Sequence, residues 1–445
     1  MDSELFEKMP PVKLFFRCAV PAVITSVVGA LYSIEDGIVV GKYLGEDALA
    51  AINLIMPIIM IVEALSNMIA TGSSVNISIL LGQKKRNEAS NVFSFSIRFI
   101  LICSCILSVF GYVFARQFIE LISPGAAQEA VRLSTEYLKM YALFGPLIPI
   151  YFATDNYLRV CGKEKESMII NVATQILNVL IDVVLVIILH QGVRAAAFSS
   201  CISIVLGSVV TLYMFSGKKM DLYYTKERLP LAQFFRIAGN GFSEFFSSIA
   251  ASIMSVIMNL FLLKYGGTTA VAAFSVVMYV DSIIGMMNFG TIDSLQPAIS
   301  YCYGAGLIER MKKIFKIVII ATVTTSTIAF LFMLFVGPHV AGVFVREGDT
   351  ELLEMSITAI KIFSFSYLIG WIDMCFSSFF TAVEKPIRSL VLSLFGTLVF
   401  PVVFLFMLTS LYGLSGIWAM SSASAAASGI LALILVKTLS LQQGI

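Results

Sequence analysis

Two stretches decide the fold of this chain, GEDALAAIN at residues 45–53 and GTTAVAAFS at residues 267–275. They match when the sequence is shifted by 222 residues, from position 45 to position 267. The same shift superposes further pairs along the chain: Ile77-Ser78 on Ile299-Ser300, Gly82 on Gly304, Phe93 on Phe315 and Lys139 on Lys361. With one residue of slippage, Gly192–Ala195 also meets Gly413–Gly416. A series of matches in one register predicts an internal duplication.

The composition places both halves in a membrane. Hydrophobic residues make up 58% of the chain, charged residues only 13%, and the mean hydropathy is +0.91. A soluble domain carries roughly a quarter of its residues as charged side chains, so this chain is solvated mainly by lipid. The formal net charge of +2 is close to neutral and predicts no nucleic-acid partner.

Apolar runs of about 20 residues, the length that crosses a bilayer, occur throughout the chain. Six runs lie near residues 14–40, 48–70, 93–115, 133–157, 167–189 and 194–215, and six lie near 236–263, 269–292, 314–336, 354–380, 388–410 and 414–436. We therefore predict an all-α polytopic membrane protein with twelve transmembrane helices. It would have a first lobe at residues 1–215, a cytoplasmic linker at 216–235 and a second lobe at 236–445.

Basic residues set the predicted orientation. They cluster in alternate loops, at Lys84–Arg86, Arg159–Lys165, the linker residues Lys218, Lys219, Lys226 and Arg228, Arg310–Lys316, Lys385, Arg388 and Lys437. The intervening loops carry only scattered basic residues such as Lys42 and Arg346. Because positive charge accumulates on the cytoplasmic side, both termini are predicted to be cytoplasmic.

Six spans per half is an even number, so both halves enter the membrane from the same side. We expect a pseudo-twofold axis along the membrane normal and a cavity between the lobes, as in transporters that work by alternating access. The cysteines form no CxxC pair, and the two histidines, His190 and His339, are isolated. This pattern predicts neither a disulfide framework nor a cofactor. We find no nucleophile–base pair and predict that the chain is not an enzyme.

An ionised carboxylate inside a bilayer costs about 3 kcal/mol or more, so each one needs an explanation. Asp36 lies more than twenty residues into the first span, towards its outer end. Asn178 and Asp182 share one face of the fifth span, and Ser200 lies at a similar depth on the sixth. Two carboxylates, an amide and a hydroxyl suit a proton relay or a Na⁺ site. We predict that these four residues couple transport to a cation or a proton.

The second half lacks this set of polar residues. The 222-residue shift places apolar side chains at the equivalents of its first three members, namely Met258, Phe400 and Phe404. A packing requirement shared by both halves would keep something polar in both, so the difference favours a functional role. The alternative is a buried hydrogen-bonded network that fixes the register of the helices.

Other residues within the predicted spans have less specific roles. Possible cavity or secondary coupling residues are Glu35, Glu63, Glu244, Asp281 and Asp373. They could receive a cationic substrate, and pairing with polar neighbours is the alternative. Asp155 precedes Arg159 by four residues, which predicts a salt bridge along the helix. Pro21 interrupts the first span fifteen residues before Asp36 and is predicted to be a hinge.

The segments around these residues resemble those of bacterial MATE (multidrug and toxic compound extrusion) transporters. The likeness lies in Pro21, Tyr32–Gly45 (YSIEDGIVVGKYLG), Ala50–Asn53 and Gln296–Ala305 (QPAISYCYGA), and it covers essentially the whole chain. It implies a secondary antiporter of the bacterial inner membrane that exports organic, often cationic, compounds in exchange for Na⁺ or H⁺. No cofactor other than the coupling ion is implied.

The resemblance also implies a site. The DinF-type pattern of the family makes Asp36, Asn178 and Asp182 cation ligands, with Ser200 where that branch has threonine. Glu244 and Asp373 lie on the helices whose carboxylates the NorM-type branch uses, but their local patterns match poorly. We expect a monomer whose partners are small organic molecules and the lipid bilayer.

Two alternative functions stay open. One is a flippase for lipid-linked precursors from the same superfamily, which would need cavity arginines, whereas the arginines here lie mainly at span ends. The other is a membrane receptor or scaffold that transports nothing. Such a protein would not need a set of carboxylates in only one of its two halves.

Overall fold

The structure is a computed structural model that describes residues 2–123, 127–217, 220–227, 230–345 and 349–443. Nearly all of these residues are helical, and none of them lies in a strand. The basic residues Lys218, Lys219, Arg228 and Arg346, which contributed to the predicted orientation, lie outside the described residues.

Among the described residues, nine helices are long and apolar enough to cross a membrane, and the bent pair Thr350–Ser364 and Tyr367–Ala382 makes ten. Dividing Ala232–Gly304 at Gly267 and counting Gln128–Phe144 with Ile148–Val160 as one interrupted span gives the twelve of the predicted fold. In order they are α1 (Pro11–Leu44), α2 (Asp47–Gly82), α3 (Arg86–Val113), α4 (Gln128–Phe144 and Ile148–Val160), α5 (Glu164–Ile188), α6 (Val193–Ser216), α7 and α8 (the parts of Ala232–Gly304 before and after Gly267), α9 (Ile308–Phe335), α10 (Thr350–Ser364 and Tyr367–Ala382), α11 (Pro386–Tyr412) and α12 (Leu414–Thr438). The predicted fold class is confirmed.

The long helix Ala232–Gly304 contains two spans because 73 residues extend far beyond one bilayer. The chain turns at Gly267, whose φ of 64° and ψ of −160° are accessible mainly to glycine.

Two of the predicted spans, 133–157 and 354–380, are interrupted in the structure. In α4 the break between Phe144 and Ile148 contains Pro146, which lacks a backbone donor and disfavours helix in the residue before it. In α10 the two segments are bent by 53°.

The internal duplication is confirmed by the helix boundaries. The span α3 becomes α9 under a shift of 222 residues at both ends, from Arg86 to Ile308 and from Val113 to Phe335. The short helices that follow them, Ala115–Ile122 and Gly337–Phe344, are related by the same shift. The two halves therefore repeat the order and the length of their elements, as well as fragments of sequence.

The chain divides into two compact units. The first comprises Met1–Met9, Ile24–Gly241 and Ser300–Ala305, and the second comprises Pro10–Val23, Phe242–Ile299 and Gly306–Ile445. Each unit has its own apolar core, which includes Ile55, Ile119 and Val186 in the first and Leu262, Met333 and Leu405 in the second. The boundary within α1 falls two residues after Pro21. The lobe limits proposed from the sequence stay a prediction.

Within the first unit, α2 packs against the start of α7 at backbone distance. A Cβ atom built on Gly72 would overlap the carbonyl oxygen of Ile237, and one built on Gly241 would overlap that of Met68. Ile237 lies four residues before Gly241, and Met68 lies four residues before Gly72. Each helix therefore presents a glycine to a backbone carbonyl of the other helix. Small residues allow this close approach between membrane helices.

The end of α2 meets the end of α8 in the same way. A Cβ on Gly82 would overlap the carbonyl oxygen of Tyr301, and one on Gly304 would overlap that of Ile79. Gly82 and Gly304 are equivalent in the repeat. We call the contacts of Gly72, Gly82, Gly241 and Gly304 the glycine seam.

A short N-terminal segment covers one end of the glycine seam. The Lys84 ammonium lies 2.7 Å from the Glu7 carboxylate and 3.1 Å from the Tyr301 hydroxyl. The ring of Phe6 lies 5.8 Å from that of Tyr301. The hydrogen bond from Lys84 holds the pKa of Glu7 below its ordinary value.

Candidate coupling site

Three helices of the first unit meet through one hydroxyl group. Asn178 of α5 donates from Nδ2 to the Ser200 Oγ of α6 across 3.2 Å. The same Oγ lies 3.3 Å from the hydroxyl of Tyr32 on α1. The structure therefore brings together two of the four residues predicted to form the coupling site.

Asp182 is fully buried one turn beyond Asn178. Its Oδ1 accepts a hydrogen bond from Ser199 Oγ, so its hydroxyl partner is the neighbour of the predicted Ser200. Successive residues of a helix point about 100° apart, which explains why Ser199 faces Asp182 while Ser200 faces Asn178.

Two buried oxygen atoms at this point have no hydrogen-bond partner among the described residues. They are Oδ2 of Asp182 and Oδ1 of Asn178. Both belong to side chains that are almost completely inaccessible, and an unpaired buried acceptor costs about 1–3 kcal/mol. A proton or a hard cation is the kind of group that would satisfy them.

Asp36 lies on α1 one turn after Tyr32. Its carboxylate acts electrostatically on Asp182, on Tyr32 and on the buried Tyr137 of α4. Glu35 also acts electrostatically on Asp36 and on Asp182. Its Oε2 is buried without a hydrogen-bond partner among the described residues. The four predicted residues and Glu35 therefore lie around one buried region of the first unit.

Three contributors to this region were missed in the sequence. Tyr32 precedes Asp36 by one helical turn, and Ser199 adjoins Ser200, so both positions carried a detectable signal. Tyr137 carried none, because nothing in the order of residues shows which face of α4 is turned towards α1.

Each helix that carries one of the two aspartates predicted to couple transport, Asp36 or Asp182, changes to π-helix just past it. The segments are Val40–Leu44 in α1 and Val183–Ile188 in α5. A third, Phe395–Val399 in α11, contains Gly396, which lies beside Asp373. π-Helix accounts for well under 1% of residues in globular proteins and often marks functional sites. In the described chain, each π segment adjoins an intramembrane carboxylate.

Glu63 belongs to the first unit. It lies on α2 and acts electrostatically on Tyr141 of α4, whose buried hydroxyl has no partner among the described residues.

The second unit contains the remaining predicted acidic residues. Asp281 of α8 accepts a 2.6 Å hydrogen bond from the Tyr367 hydroxyl of α10, which is the pairing with a polar neighbour that the sequence left open. Glu244 interacts electrostatically with Asp293.

Asp373 occupies space that a side chain on α11 would otherwise fill. A Cβ on Gly396 would overlap its Oδ2 and come within 3.0 Å of Ser428 Oγ. Asp373 Oδ1 and Ser428 Oγ are both buried without a partner among the described residues.

Asp155 has a structural role at the other end of α4. Its Oδ2 lies 2.7 Å from Arg159, which confirms the predicted salt bridge, and its Oδ1 accepts from Asn171 across 2.7 Å. No group of three or more histidine, cysteine, aspartate or glutamate residues suited to a metal ion occurs among the described residues.

Ser199 and Ser200 are expected to differ in their effects on coupling. A hydrogen bond to a charged group contributes about 1.5–3 kcal/mol and a neutral one about 0.5–1.5 kcal/mol. Transport at limiting coupling ion should therefore fall about tenfold in Ser199→Ala and about threefold in Ser200→Ala. Efflux rates at graded ion concentrations measure this. The assignment is wrong if Ser200→Ala has the larger effect.

Comparison with known proteins agrees with this architecture. The MatE family model matches residues 21–184 and 245–407, once in each half. Multidrug export protein MepA of Staphylococcus saprophyticus is 28% identical over 425 residues, covering 94% of this chain and 92% of the relative. Multidrug export protein MepA of Staphylococcus aureus is 27% identical over 429 residues, with the same coverage.

Solved structures show the same fold. A crystal structure of MATE in complex with MaL6 superposes with a TM-score of 0.92 at 23% identity, covering 98% of this chain and 97% of the other. A multidrug resistance MATE family transporter in an outward-facing conformation superposes with a TM-score of 0.90 at 24% identity, covering 98% of both chains. The fold is that of a multi-pass membrane protein. The chain belongs to the MatE family.

Proposed function

We propose that this protein is a secondary active transporter, rather than an enzyme, and that it exports organic, often cationic, compounds in exchange for Na⁺ or H⁺. One observation carries the proposal: Asp182 and Asn178 present buried oxygens without a partner among the described residues, and Asp182 lies within electrostatic reach of Asp36. The name of the MepA relatives supports drugs as the substrate class.

The coupling ion would act by cancelling charge. When neither a proton nor Na⁺ is present, Asp36 and Asp182 repel each other in surroundings of low dielectric constant. A cation between them, or a proton on one of them, removes that repulsion and stabilises the association of α1 with α5. Binding of the ion therefore favours one arrangement of α1 over another, as alternating access requires.

The membrane potential would contribute to the driving force. A cation that moves inward gains about 2.3 kcal/mol per charge for each 100 mV, in addition to its concentration gradient. We propose a location in the bacterial plasma membrane with both termini in the cytoplasm, where that potential is available. We further propose that the protein is monomeric, with the lipid bilayer and small organic molecules as its partners.

Reconstitution into vesicles loaded with ethidium tests the proposal. We expect an imposed Na⁺ or pH gradient to accelerate ethidium movement by about tenfold or more, equivalent to about 1.4 kcal/mol in activation free energy. Testing each gradient separately shows which ion couples. If the rate of ethidium movement depends on neither gradient in vesicles that retain folded protein, the proposal is wrong.

Pro21→Ala tests the hinge in α1. An alanine restores the backbone donor that proline lacks and stiffens the helix, so turnover should fall about tenfold while ethidium affinity changes by less than about twofold. Single-turnover and steady-state efflux, compared with equilibrium binding, separate the two effects. Normal turnover by Pro21→Ala would remove the hinge from the mechanism.

A further inference from the structure

An apolar groove of about 320 Å³ runs along α2 and α3 beside the start of α7, within the first unit. Its lining includes Leu65 of α2, Phe99, Cys103 and Leu107 of α3, and Phe234 of α7. This side of α3 is turned outwards, since Leu107 is 38% exposed. In a membrane, such a surface meets lipid chains.

One end of the groove lies where the linker meets the membrane. The ring of Phe99 lies 4.8 Å from that of Phe234, four residues after the linker residue Pro230. Arg98 donates from Nη2 to the backbone carbonyl of Glu227 across 2.9 Å. From Phe99 to Leu107 the helix rises about 12 Å, so the groove extends from the interface into one leaflet.

The interface end of the groove is basic. Arg98 is exposed and uses two of its five donors, to the backbone carbonyls of Ser94 and Glu227. Lys226 is also exposed and adjoins Glu227 in sequence. The carboxylate of Glu227 accepts from the side chain of Asn91, which occupies one of its oxygens. Arg98 is therefore the cation next to the lining residue Phe99, and Lys226 is one residue away from Glu227, whose carbonyl Arg98 contacts.

A second apolar surface begins at the same arginine. Ile102, Ile106 and Val109 follow Arg98 at intervals of three or four residues and are 59%, 52% and 62% exposed. These side chains lie on one face of α3. Ile106 also lines the groove, so the exposed face that holds Ile102 and Val109 continues directly from it. The region thus offers one basic end and two adjacent apolar tracks, which matches a molecule with an anionic head and two chains.

We propose that this region binds one anionic glycerophospholipid of the adjoining leaflet. Its phosphate contacts Arg98 and Lys226, one acyl chain fills the groove and the other follows the exposed face of α3. The two cations disfavour a positively charged transport substrate at this entrance. The proposal rests on the membrane location of the fold and is independent of the coupling ion.

Tryptophan fluorescence tests the site directly. The chain has 2 tryptophans, Trp371 and Trp418, both in the second unit. With both replaced by phenylalanine, Phe234→Trp becomes a single reporter at the groove. We expect brominated phosphatidylglycerol to quench it more strongly than brominated phosphatidylcholine at equal mole fraction. Each basic residue should raise the affinity of the site for phosphatidylglycerol, relative to phosphatidylcholine, by about fivefold. The same double background with Tyr213→Trp, at an exposed site on α6, should show no preference.

The basic residues provide the decisive comparison. Arg98→Gln and Lys226→Gln should each lower the preference for phosphatidylglycerol about fivefold, while quenching by phosphatidylcholine stays the same. Equal quenching by both lipids in the parent reporter would overturn the proposal. Relief of quenching by ethidium would also overturn it, because the groove would then be a substrate site.

A second readout avoids the tryptophan variants. Within the described chain only Cys103 and Cys105 are not buried, so Cys105→Ser leaves Cys103 as the accessible thiol at the groove. Its reaction with N-phenylmaleimide should be about fivefold slower in phosphatidylglycerol than in phosphatidylcholine vesicles, and Arg98→Gln should remove that difference. Equal rates in both lipids would contradict an occupied groove.

Discussion

Replacing Asp36 with asparagine is expected to abolish gradient-driven export while the protein stays folded and still binds its substrate. Asparagine keeps the shape of the side chain but can neither take up a proton nor balance the charge of Na⁺. The electrostatic repulsion between residue 36 and Asp182 is then absent whether or not the ion is bound. We expect the gradient-dependent rate to fall by about a hundredfold or more, equivalent to about 2.7 kcal/mol.

Efflux from vesicles under the effective gradient measures this loss, and ethidium binding to the same preparation reports the folded, substrate-competent fraction. Asp281→Asn is the matched control, because it makes the same chemical change at an intramembrane aspartate of the second unit. Asparagine can still accept the hydrogen bond from Tyr367, so its rate should stay within about threefold of the parent. If Asp36→Asn retains parental efflux, the coupling site lies elsewhere.

Gly241→Val is expected to have the second large effect. The new Cβ would meet the backbone carbonyl of Met68, which cannot rotate away as a flexible side chain would. Relief requires α2 and α7 to move apart, and a gap of even 0.5–1 Å forfeits roughly a quarter to a half of each contact energy across it. If transport alternates between a closed and an open glycine seam, the variant loses the closed form, and turnover should fall about tenfold or more.

Cross-linking shows whether the seam opens. Gln233 of α7 donates to Asn76 of α2 across 3.5 Å, so cysteines at these two positions should be joined by a short bismaleimide cross-linker in the parent background. Gly241→Val should lower the yield, whereas Gly239→Val should not, because a Cβ on Gly239 meets nothing within 4 Å. Gly241→Ala provides a milder change if valine prevents folding. Full cross-linking and normal transport in both Gly241 variants would show that the seam has no part in the cycle.

The duplication and the spans were predictable because they depend on patterns along the chain. Helix length follows from apolar runs, and the register of the repeat follows from matched residues such as Gly82 and Gly304. The depth of Asp36 and Asp182 also follows from counting residues along a helix. These quantities need no knowledge of neighbouring helices.

What escaped prediction depends on how helices rotate and approach one another. Ser199 and Ser200 lie at nearly the same depth, and only the rotation of α6 decides which one faces Asp182. The role of Gly72 is likewise invisible until α7 lies against it. The break in α4 was signalled by Pro146, but proline is common enough in membrane helices that its presence alone did not distinguish a bend from an interruption.

The π segments have a consequence for sequence alignment. A π turn holds one residue more than an α turn, so such a segment can arise from a single-residue insertion within a helix. When relatives are aligned to this chain, gaps of one residue belong within Val40–Leu44 or Val183–Ile188 as readily as in loops. An alignment that forbids gaps inside helices would shift every residue between the segment and the next loop by one position. Apparent divergence just beyond Asp36 or Asp182 would then be a register error.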